Sequence, residues 1–530
     1  MGTLTLGIDL GTSAVKALLL RTDGAVVAMA GAPCVLSTPR PKWSEQDPNL
    51  WWQATIEALR GLWRMVPGAA AEIGAIGLSG QMHGLVLLAA NGATLRPCLL
   101  WNDQRSAEEC DQLQERFGLD GLVRMTGNRV YAGFTLPKLL WVRTHEPAVF
   151  AATRQILLPK DWLRWRLTGA FASDVSDASG TAMFDVGARR YSAELLAALD
   201  LDPALLPPTF ESMEVTSTVG LHAAKETGLR AGTPVVAGAG DQAASALGLG
   251  LRDEGACSVT IGTSGVVFAP RRTHRPDPQG RLHAFCHAVP GRWHQMGVML
   301  SAGASLRWFR DTIALPEVAE AARRGIDPYQ LIDTLASSAP PGADGVTFLP
   351  YLSGERTPHA DPNATGAFLG LTGRHTRGHL ARAVLEGVTF GLCDCLDLLR
   401  GTGLAVTRLT LAGGGARSPL WRQLCADVFG CEVVGAQIVE SSALGAARLA
   451  AEGIGAEGIG ADAGALKGTR RAQIEHPAGG SGELDRPGLD TPGLDSAVAR
   501  PVTHPELAAA LGRFRALYPA IRRAENSLEG

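Results

Sequence analysis

The chain repeats one pattern near its start and near its middle: an apolar, β-rich run, a Gly-Thr-Ser turn and a second apolar run. In the first copy, the apolar runs of residues 4–20 flank Gly11-Thr12-Ser13. In the second copy, residues 256–261 and 266–269 flank Gly262-Thr263-Ser264. A glycine-containing turn between two such runs predicts a β-hairpin. Because each hairpin opens a half of similar length, the repeat predicts a duplicated fold.

Length and periodicity predict α/β domains. At 530 residues the chain exceeds the size at which one hydrophobic core keeps growing, so we expect two domains, residues 1–250 and 251–530. Strand-like runs alternate with helical ones, and the clearest helix covers residues 378–400. Residues 453–502 are rich in Gly, Ala, Asp and Pro, which predicts a flexible insertion in the second domain.

Composition narrows the class of partner. Hydrophobic residues make up 46% and charged residues 19%, as in ordinary globular enzymes. The formal net charge of -3 comes from 49 basic and 52 acidic residues mixed along the chain, so we expect small-molecule partners and neither nucleic acid nor a membrane. Nine cysteines without a C-x-x-C pair, and an N-terminus unlike a signal peptide, predict a reducing cytoplasm. The sequence leaves the oligomeric state open, with a homodimer as one candidate.

The first Gly-Thr-Ser turn has the composition of a phosphate-binding site. Gly11, Thr12 and Ser13 offer backbone N–H groups and hydroxyls without bulk. Asp9 before the turn offers a carboxylate for Mg²⁺, and Lys16 beyond it adds positive charge. A single Gly-Thr-Ser sequence is more often only a good hairpin turn. Two such turns, one of them with Asp9, favour polyphosphate binding.

Asp241 allows two interpretations. It follows the short apolar run of residues 234–237 and the sequence Gly238-Ala239-Gly240, and it begins a predicted helix. It is therefore a candidate N-cap residue. An Asp at the carboxyl end of a strand in an α/β domain also faces the crevice where ligands bind, and phosphoryl transfer to an alcohol needs a base near the hydroxyl. The two roles are compatible.

Further polar groups follow predicted strands. Met82 and His83 come after the strand at residues 73–79 and suit the C–H groups and hydroxyls of a sugar, although a lone histidine is more often structural. The segment 101–105, which contains Asn102, suits a polyol or an ion pair equally well. The same ambiguity applies to Glu355 and Arg356.

A third glycine-rich turn, Gly413-Gly414-Gly415, lies between a predicted strand at residues 409–412 and a predicted helix that includes residues 421–429. It permits the close approach of a flat ring or a phosphate. The sequence contains no Walker A motif and none of the protein-kinase H-R-D or D-F-G motifs. A nucleotide site in this chain must therefore be built in another way.

As a set, these turns resemble those of the FGGY family of carbohydrate kinases. The matching segments are residues 8–13, residues 261–265 and Gly413-Gly414-Gly415. The resemblance implies the duplicated, two-domain actin-like ATPase (ribonuclease H-like) fold, with an interdomain catalytic cleft. Within the family, the segments 43–48, 81–84, 101–103, 158–161 and 353–358 look like those of bacterial members that phosphorylate D-xylulose. Glycerol kinases carry an arginine-containing segment where this chain has Met82 and His83.

The resemblance also implies roles for individual residues, with ATP and Mg²⁺ as cofactors. Asp241 would be the catalytic base, and Asp9 would organise Mg²⁺. The residues implied to bind the sugar are Met82, His83, Asn102, Asp241 and Gln242. The residues implied to bind the nucleotide are Gly11, Thr12, Ser13, Lys16, Thr263, Gly413, Gly414 and Ser418. Gln242 stands where such kinases commonly have Asn, which leaves the substrate preference open.

The sequence leaves two alternative functions open. One is a kinase of another ketose, a polyol or a sugar acid, because few substitutions change the preference of a hydrogen-bonding pocket. The other is a non-catalytic ATPase of the same fold that works as a switch. Asp241 and the polar cluster near Met82 and His83 speak against the switch.

Overall fold

The structure is a computed structural model that describes residues 4–436, 440–455, 474–475 and 498–529. The predicted insertion at residues 453–502 lies mostly outside these ranges. The described residues form two compact units, one within Met1–Arg252, Arg271–His294 and Glu440–Gly479, the other within Asp253–Pro270, Gln295–Val439 and Gly480–Gly530. In the ranges that the structure covers, every helix is too short or too polar to cross a membrane.

The strands are distributed along the whole described chain. Their bounds are β1 Leu4–Leu10, β2 Ala14–Arg21, β3 Val26–Pro33, β4 Glu45–Gln46, β5 Ile73–Gly80, β6 Val86–Leu88, β7 Cys98–Leu99, β8 Gln155–Leu157, β9 Ser173–Asp174, β10 Phe184–Asp185, β11 Arg190–Tyr191, β12 Thr209–Phe210, β13 Val215–Thr218, β14 Pro234–Val236, β15 Ala239–Gly240, β16 Ser258–Ile261, β17 Gly265–Arg271, β18 His283–Cys286, β19 Trp293–Met299, β20 Thr347–Leu349, β21 Ala367–Leu369, β22 Arg408–Ala412, β23 Glu432–Gly435, β24 Ile474–Glu475 and β25 Val498–Ala499.

The helices alternate with these strands. Their bounds are α1 Pro48–Met65, α2 Ala69–Glu72, α3 Ala107–Thr126, α4 Thr135–His145, α5 Pro147–Ala152, α6 Pro159–Thr168, α7 Val175–Ala178, α8 Ala193–Ala198, α9 Leu221–Thr227, α10 Asp241–Gly248, α11 Gly303–Thr312, α12 Leu315–Arg324, α13 Pro328–Ser337, α14 Arg377–Gly401, α15 Pro419–Phe429, α16 Ser441–Gly453 and α17 Pro505–Glu529.

The first predicted hairpin is confirmed and forms the centre of the first unit's sheet. Strands β1 and β2 pair antiparallel, with Asp9 opposite Lys16. Strand β3 continues the sheet beside β2, and β5 runs parallel to β1 on its other side. The strand order is β13-β14-β5-β1-β2-β3-β24, with β15 pairing along the end of β5. The carboxyl ends of β1, β5 and β15 therefore meet at one edge.

Helix α1 covers one face of this sheet. Asp47 is its N-cap, and the Asp47 side chain accepts a hydrogen bond from the Asn49 N–H. Pro48 occupies the first turn, where a missing N–H costs nothing. Trp51 and Leu59 are fully buried among the apolar residues of this core, to which β1 to β3 also contribute. Asp47 and Pro48 thus start the helix, and its buried apolar side chains pack it against the sheet.

Helix α16 comes from far along the chain but packs on β1 and β5. The strands carry glycine where the helix passes. A Cβ at Gly7 would lie 2.0 Å from the carbonyl oxygen of Ala443, and a Cβ at Gly77 would lie 1.9 Å from that of Ala446. Only glycine permits this approach of helix backbone to strand backbone.

The second predicted hairpin is also confirmed. Strands β16 and β17 pair antiparallel, and β22 runs parallel to β16. In the second unit the strands follow the order β19-β17-β16-β22-β23-β25. In both units, the first hairpin strand lies between its hairpin partner and a parallel strand. The repeat in the sequence is therefore a repeat of local topology, and the predicted α/β class is confirmed.

The helix predicted at residues 378–400 is confirmed as α14, but it is buried on more sides than one. All residues from 381 to 393 are buried. The cause is its central place in the second unit, where α11, α13, α15 and β20 pack around it. A helix that is covered on all sides shows a wider apolar pattern than a surface helix.

We predict that Gly77→Ala destabilises the first unit. The added Cβ meets backbone atoms of α16, which cannot rotate away, so we expect a loss of about 1–3 kcal/mol and a fall of the melting temperature by about 2–4 °C per kcal/mol. Thermal unfolding followed by circular dichroism measures this shift. Gly121→Ala in α3 is the control, because its new Cβ would have only Phe117 Cβ nearby, at 3.6 Å. Equal melting temperatures for Gly77→Ala and the parent protein would contradict the prediction.

Candidate active site

Asp9 lies one residue before the end of β1 and is only 7% exposed. Its Oδ1 accepts a hydrogen bond from the Ser79 hydroxyl on β5, at 2.9 Å. Burial raises the pKa of Asp9; Lys16 and Ser79 oppose this rise, and Glu440 adds to it. A buried carboxylate at a strand end is a group that a bound cation would stabilise.

Lys16 lies opposite Asp9 in the hairpin and is tied to Glu440. Its Nζ is 2.6 Å from Glu440 Oε2. Glu440 is the N-cap residue of α16. The helix that packs on the sheet therefore also supplies the counter-charge of Lys16.

The Gly11-Thr12-Ser13 turn joins β1 to β2. The Gly11 N–H donates to the carbonyl oxygen of Ala14 at 3.0 Å. The Thr12 hydroxyl donates to Gln81 Oε1 and accepts from Trp101 Nε1, both at 3.0 Å. Ser13 is exposed. The Thr12 hydroxyl hydrogen is thus used inside the protein, and Ser13 forms the open part of the turn.

Asp241 follows β15 and is the first residue of α10. The N-cap of this helix is Gly240, so the alternative role of Asp241 as the N-cap residue does not apply. Asp241 is half-buried, and its backbone carbonyl accepts a hydrogen bond from the Ser442 hydroxyl at 3.2 Å. Burial and the charge of Asp9 raise the pKa of the Asp241 carboxyl to about 7, against hydrogen bonds from the backbone and side chain of Gln242. The structure thus brings Asp9, Asp241 and Gln242 together.

Met82 lies against Gly240, the residue before Asp241, and both Met82 and His83 lie against Gly180. Met82 is buried, and a Cβ at Gly240 would lie 2.9 Å from its Sδ. His83 has a left-handed backbone conformation, with φ of 70°, and its ring stacks on Phe134 at 4.4 Å. Its Nδ1 is 2.6 Å from the carbonyl oxygen of Gly180. Because a carbonyl only accepts, Nδ1 carries a hydrogen and donates it to Gly180.

The segment 101–105 divides between its two predicted roles. Arg105 forms a charged pair with Asp103, and its guanidinium carbon lies 3.6 Å from the ring centre of Trp43. These residues form a structural ion pair. Asn102 is half-buried, and its Oδ1 is buried without a hydrogen-bond partner in the part of the chain that the structure describes. Asn102 therefore suits a ligand.

Lys138 ties these segments together. It is fully buried, and its Nζ donates to four backbone carbonyls: His83 at 2.8 Å, Leu99 at 3.2 Å, Leu100 at 2.9 Å and Gly133 at 2.8 Å. Burial lowers its pKa to about 7. The ammonium group thus joins the backbone of His83 to the backbone just before Trp101.

A second buried lysine supports the strand end before Asp241. Lys160 Nζ is 2.5 Å from Asp161 Oδ1, 3.1 Å from Asp174 Oδ1 and 3.8 Å from Asp177 Oδ2. Burial and the neighbouring carboxylates raise the pKa of Asp177 well above its usual range. Ser176 connects the cluster to β15, because its hydroxyl accepts from the Gly240 N–H at 3.1 Å.

The remaining predicted residues belong to the second unit. In its hairpin turn, the carbonyl oxygen of Thr263 accepts from the N–H groups of Ala302 and Ala304 at 3.0 and 3.1 Å, near the start of α11. Gly413 has φ of 81°, and a Cβ there would lie 2.5 Å from the carbonyl oxygen of Ile261. A Cβ at Gly414 would meet nothing within 4 Å. Gly413 is therefore required by packing, whereas Gly414 borders open space.

Ser418 and Glu355 have structural partners. The Ser418 hydroxyl accepts from the Trp421 N–H at 3.0 Å as the N-cap of α15, and it donates to the Asp333 carboxylate. Glu355 is buried, and its Oε1 accepts from the N–H groups of Leu300 and Arg356 at 3.0 and 2.7 Å. Burial raises the pKa of Glu355 to about 8.

Comparison with known proteins decides the family. Residues 4–248 match the N-terminal domain of the FGGY family of carbohydrate kinases, and residues 257–453 match its C-terminal domain. This chain belongs to the FGGY family. The Escherichia coli K12 protein named xylulose kinase is 46% identical over 80% of this chain and 84% of its own length.

Solved structures agree with this membership. The crystal structure of a xylulose kinase from Rhodospirillum rubrum is 31% identical, covers 99% of both chains and superposes with a TM-score of 0.82. That of a gluconate kinase from Lactobacillus acidophilus is 27% identical, covers 99% of this chain and 98% of its own, and gives a TM-score of 0.84. The fold is therefore the two-domain FGGY kinase fold, which has the actin-like ATPase architecture. As a carbohydrate kinase, the chain is a phosphotransferase that uses ATP and a sugar hydroxyl.

Several residues of this FGGY kinase site were not predicted to be functional from the sequence. They are Lys138, Lys160, Glu440 and Ser442. A signal existed for the two lysines, because each stands inside an apolar run, where a charged residue is rarely buried without partners. Glu440 and Ser442 gave no such signal, since only the folded chain brings α16 to the first unit's sheet.

Proposed function

We propose that this kinase transfers the γ-phosphoryl group of ATP to the terminal hydroxyl, O5, of D-xylulose, which yields D-xylulose 5-phosphate and ADP in D-xylose catabolism. The grouping of Asp241, Met82 and His83 in the first unit carries this proposal. The names of the relatives support D-xylulose as the sugar. Residues 1–250 bind the ketose, and residues 251–530 bind most of the nucleotide. The nine thiols, none of them in a disulfide, support the predicted cytoplasmic location.

Asp241 is the catalytic base in this proposal. A base must lie next to the acceptor hydroxyl and must be deprotonated at the working pH. With a pKa of about 7, Asp241 is a stronger base than an ordinary aspartate and is about half ionised at pH 7. It accepts the O5 proton as O5 attacks the γ-phosphorus, and the bond to the β,γ-bridging oxygen breaks.

The neighbouring side chains orient the ketose. His83 hydrogen-bonds a sugar hydroxyl through its ring, which the bond from Nδ1 to the carbonyl oxygen of Gly180 holds in place. Met82 packs against C–H groups of the sugar. Asn102 adds an amide whose Oδ1 needs a donor. Gln242 holds the Asp241 carboxylate through its side-chain amide.

The donor set fits Mg²⁺. Asp9 and Asp241 are close enough for the charge of Asp9 to raise the pKa of Asp241, and a divalent cation would relieve this repulsion. Mg²⁺ is usually bound through one or two carboxylates and the substrate phosphates, so Asp9 would hold it together with the phosphates of ATP. When bound, Mg²⁺ neutralises the charge on the phosphates during transfer.

The nucleotide residues keep the roles that the family resemblance implies. Gly11, Thr12 and Ser13 bind phosphate oxygens, with Thr12 acting through its backbone N–H because its hydroxyl is engaged elsewhere. Lys16 adds positive charge, and Thr263 binds phosphate from the second hairpin. Gly413, Gly414 and Ser418 border the adenine and ribose.

A sugar-acid substrate is the second candidate, because the gluconate kinase structure superposes with a TM-score of 0.84. A coupled assay of ADP release separates the candidates. We expect turnover with D-xylulose to exceed by far that with D-ribulose, L-ribulose, D-gluconate and glycerol. Highest turnover with another sugar would identify that sugar as the substrate in place of D-xylulose. A rate of ADP release that no sugar changes would favour an ATPase switch.

We predict that Asp241→Asn lowers kcat by about 10²–10⁴-fold, because it removes the proton acceptor and keeps the shape of the side chain. Nucleotide affinity, measured by titration calorimetry, should stay within about twofold, because Asp241 accepts the sugar proton and holds no nucleotide. Activity close to that of the parent enzyme would refute the role of Asp241 as base.

We also predict a pH dependence. The base works only when deprotonated, and burial, which Mg²⁺ does not remove, is the largest cause of the raised pKa of Asp241, so kcat/KM for D-xylulose should have an acid-side midpoint at or below pH 7 and fall toward about tenfold per pH unit beneath it. The measurement runs from pH 5.5 to 9 at saturating ATP and Mg²⁺. The residual activity of Asp241→Asn is the control, because it should lack this midpoint. A flat parent profile down to pH 5.5 would contradict the prediction.

A further inference from the structure

A closed ring of hydrogen bonds joins the first Gly-Thr-Ser turn to the segment that carries Met82 and His83. The Thr12 hydroxyl donates to Gln81 Oε1 at 3.0 Å. Gln81 Nε2 donates to Gln46 Oε1 at 3.0 Å. Gln46 Nε2 donates to the backbone carbonyl of Thr12 at 2.7 Å. The ring therefore begins and ends at Thr12.

The ring is buried and held from outside by two tryptophans. Gln46 and Gln81 are each 2% exposed. Trp51 Nε1 donates to Gln46 Oε1 at 3.0 Å, and Trp101 Nε1 donates to Thr12 Oγ1 at 3.0 Å. Buried amides in such a network have little freedom to change partners, because each lost bond leaves a buried polar group unpaired. A shift of one member therefore shifts the others.

Both segments proposed to bind the ketose reach this ring. Gln81 directly precedes Met82, and Trp101 directly precedes Asn102. The backbone N–H of Gln81 also donates to the carbonyl oxygen of Leu10 at 2.9 Å, one residue before the turn. A bound sugar that fixes the position of either segment therefore also affects the position of the turn that we propose binds the phosphates.

We propose that Gln81 and Gln46 are positioning residues that couple ketose binding to the phosphate-binding turn through Thr12. This inference rests on the proposed function and adds residues that act through the turn. Its consequence is reciprocal: bound nucleotide raises the affinity for the ketose, and bound ketose raises the affinity for the nucleotide by the same factor.

The rival explanation is that the ring only stabilises the fold. Loss of a merely structural network would lower the melting temperature and weaken both ligands, but the factor by which one ligand strengthens the other would stay the same. The coupling factor is therefore the measurement that separates the two explanations.

The test is calorimetric titration of D-xylulose with and without Mg²⁺ and a non-hydrolysable ATP analogue. In the parent protein we expect the analogue to lower the Kd of D-xylulose at least about fivefold. Gln81→Met keeps the length of the side chain and removes both the Oε1 acceptor and the Nε2 donor, and its coupling factor should fall below about twofold. Gln53→Met is the matched control, because Gln53 is an exposed glutamine on α1, and its factor should equal that of the parent.

A double substitution tests whether the ring acts as a unit. If Gln46 and Gln81 act through the same ring, adding Gln46→Met to Gln81→Met should lower the factor little further. If Gln81→Met fails to fold, Thr12→Val replaces it, because valine keeps the shape of threonine and lacks the donating hydroxyl. In that case the double substitution combines Gln46→Met with Thr12→Val, with the same expectation.

Each outcome bears on one claim. A variant of the ring that keeps the parent's coupling factor, or losses that add independently, would overturn the inference. A parent that phosphorylates D-xylulose but binds the two ligands independently would overturn it while leaving the proposed function intact. Turnover only on another sugar would overturn the assignment of D-xylulose as the substrate, and the titration would then use that sugar to test the coupling. A parent without turnover on any sugar would overturn both.

Discussion

The approach of α16 to the first unit's sheet is the contact on which the candidate active site depends. Gly7 and Gly77 leave no side chain between strand and helix, so the backbone of α16 lies directly on β1 and β5. This contact determines where the first turn of the helix lies. Glu440 then pairs with Lys16, and the Ser442 hydroxyl reaches the backbone of Asp241. Residues distant in sequence thereby complete the surroundings of both strand-end carboxylates.

Electrostatics follows from this arrangement. Asp9 and Asp241 repel each other, Glu440 adds negative charge near Asp9, and Lys16, the cation opposite Asp9, is already paired with Glu440. Burial and mutual repulsion raise the pKa of Asp241 to about 7, which gives a base suited to neutral pH. The same excess of negative charge favours a divalent cation beside Asp9. In the proposed mechanism one arrangement thus serves both proton transfer and metal binding, because each relieves an unfavourable buried charge.

The parts of the fold that local sequence controls were predictable. Gly-Thr-Ser turns between apolar runs identified both hairpins, and short-range periodicity identified α14. The positions of Asp9 and Asp241 at strand ends followed from the same patterns. The packing of α16 and the ring through Gln46 were not predictable, because each depends on contacts between residues distant in sequence. Burial of α14 on all sides was missed because sequence periodicity does not show how many neighbours a helix has.

Within the proposed function, recognition of the sugar hydroxyls is better assigned to Asn102 than to Gln242. A site rejects the wrong sugar strongly only when one of its own polar groups would be left unpaired. The amide of Gln242 is already bonded to the Asp241 carboxylate, so its main effect is to hold the base. The buried Oδ1 of Asn102 has no partner in the described part of the chain and is therefore able to accept a hydrogen bond from a ligand. Glutamine at position 242 therefore affects the orientation of the Asp241 carboxylate more than it affects which sugar hydroxyls the site recognises.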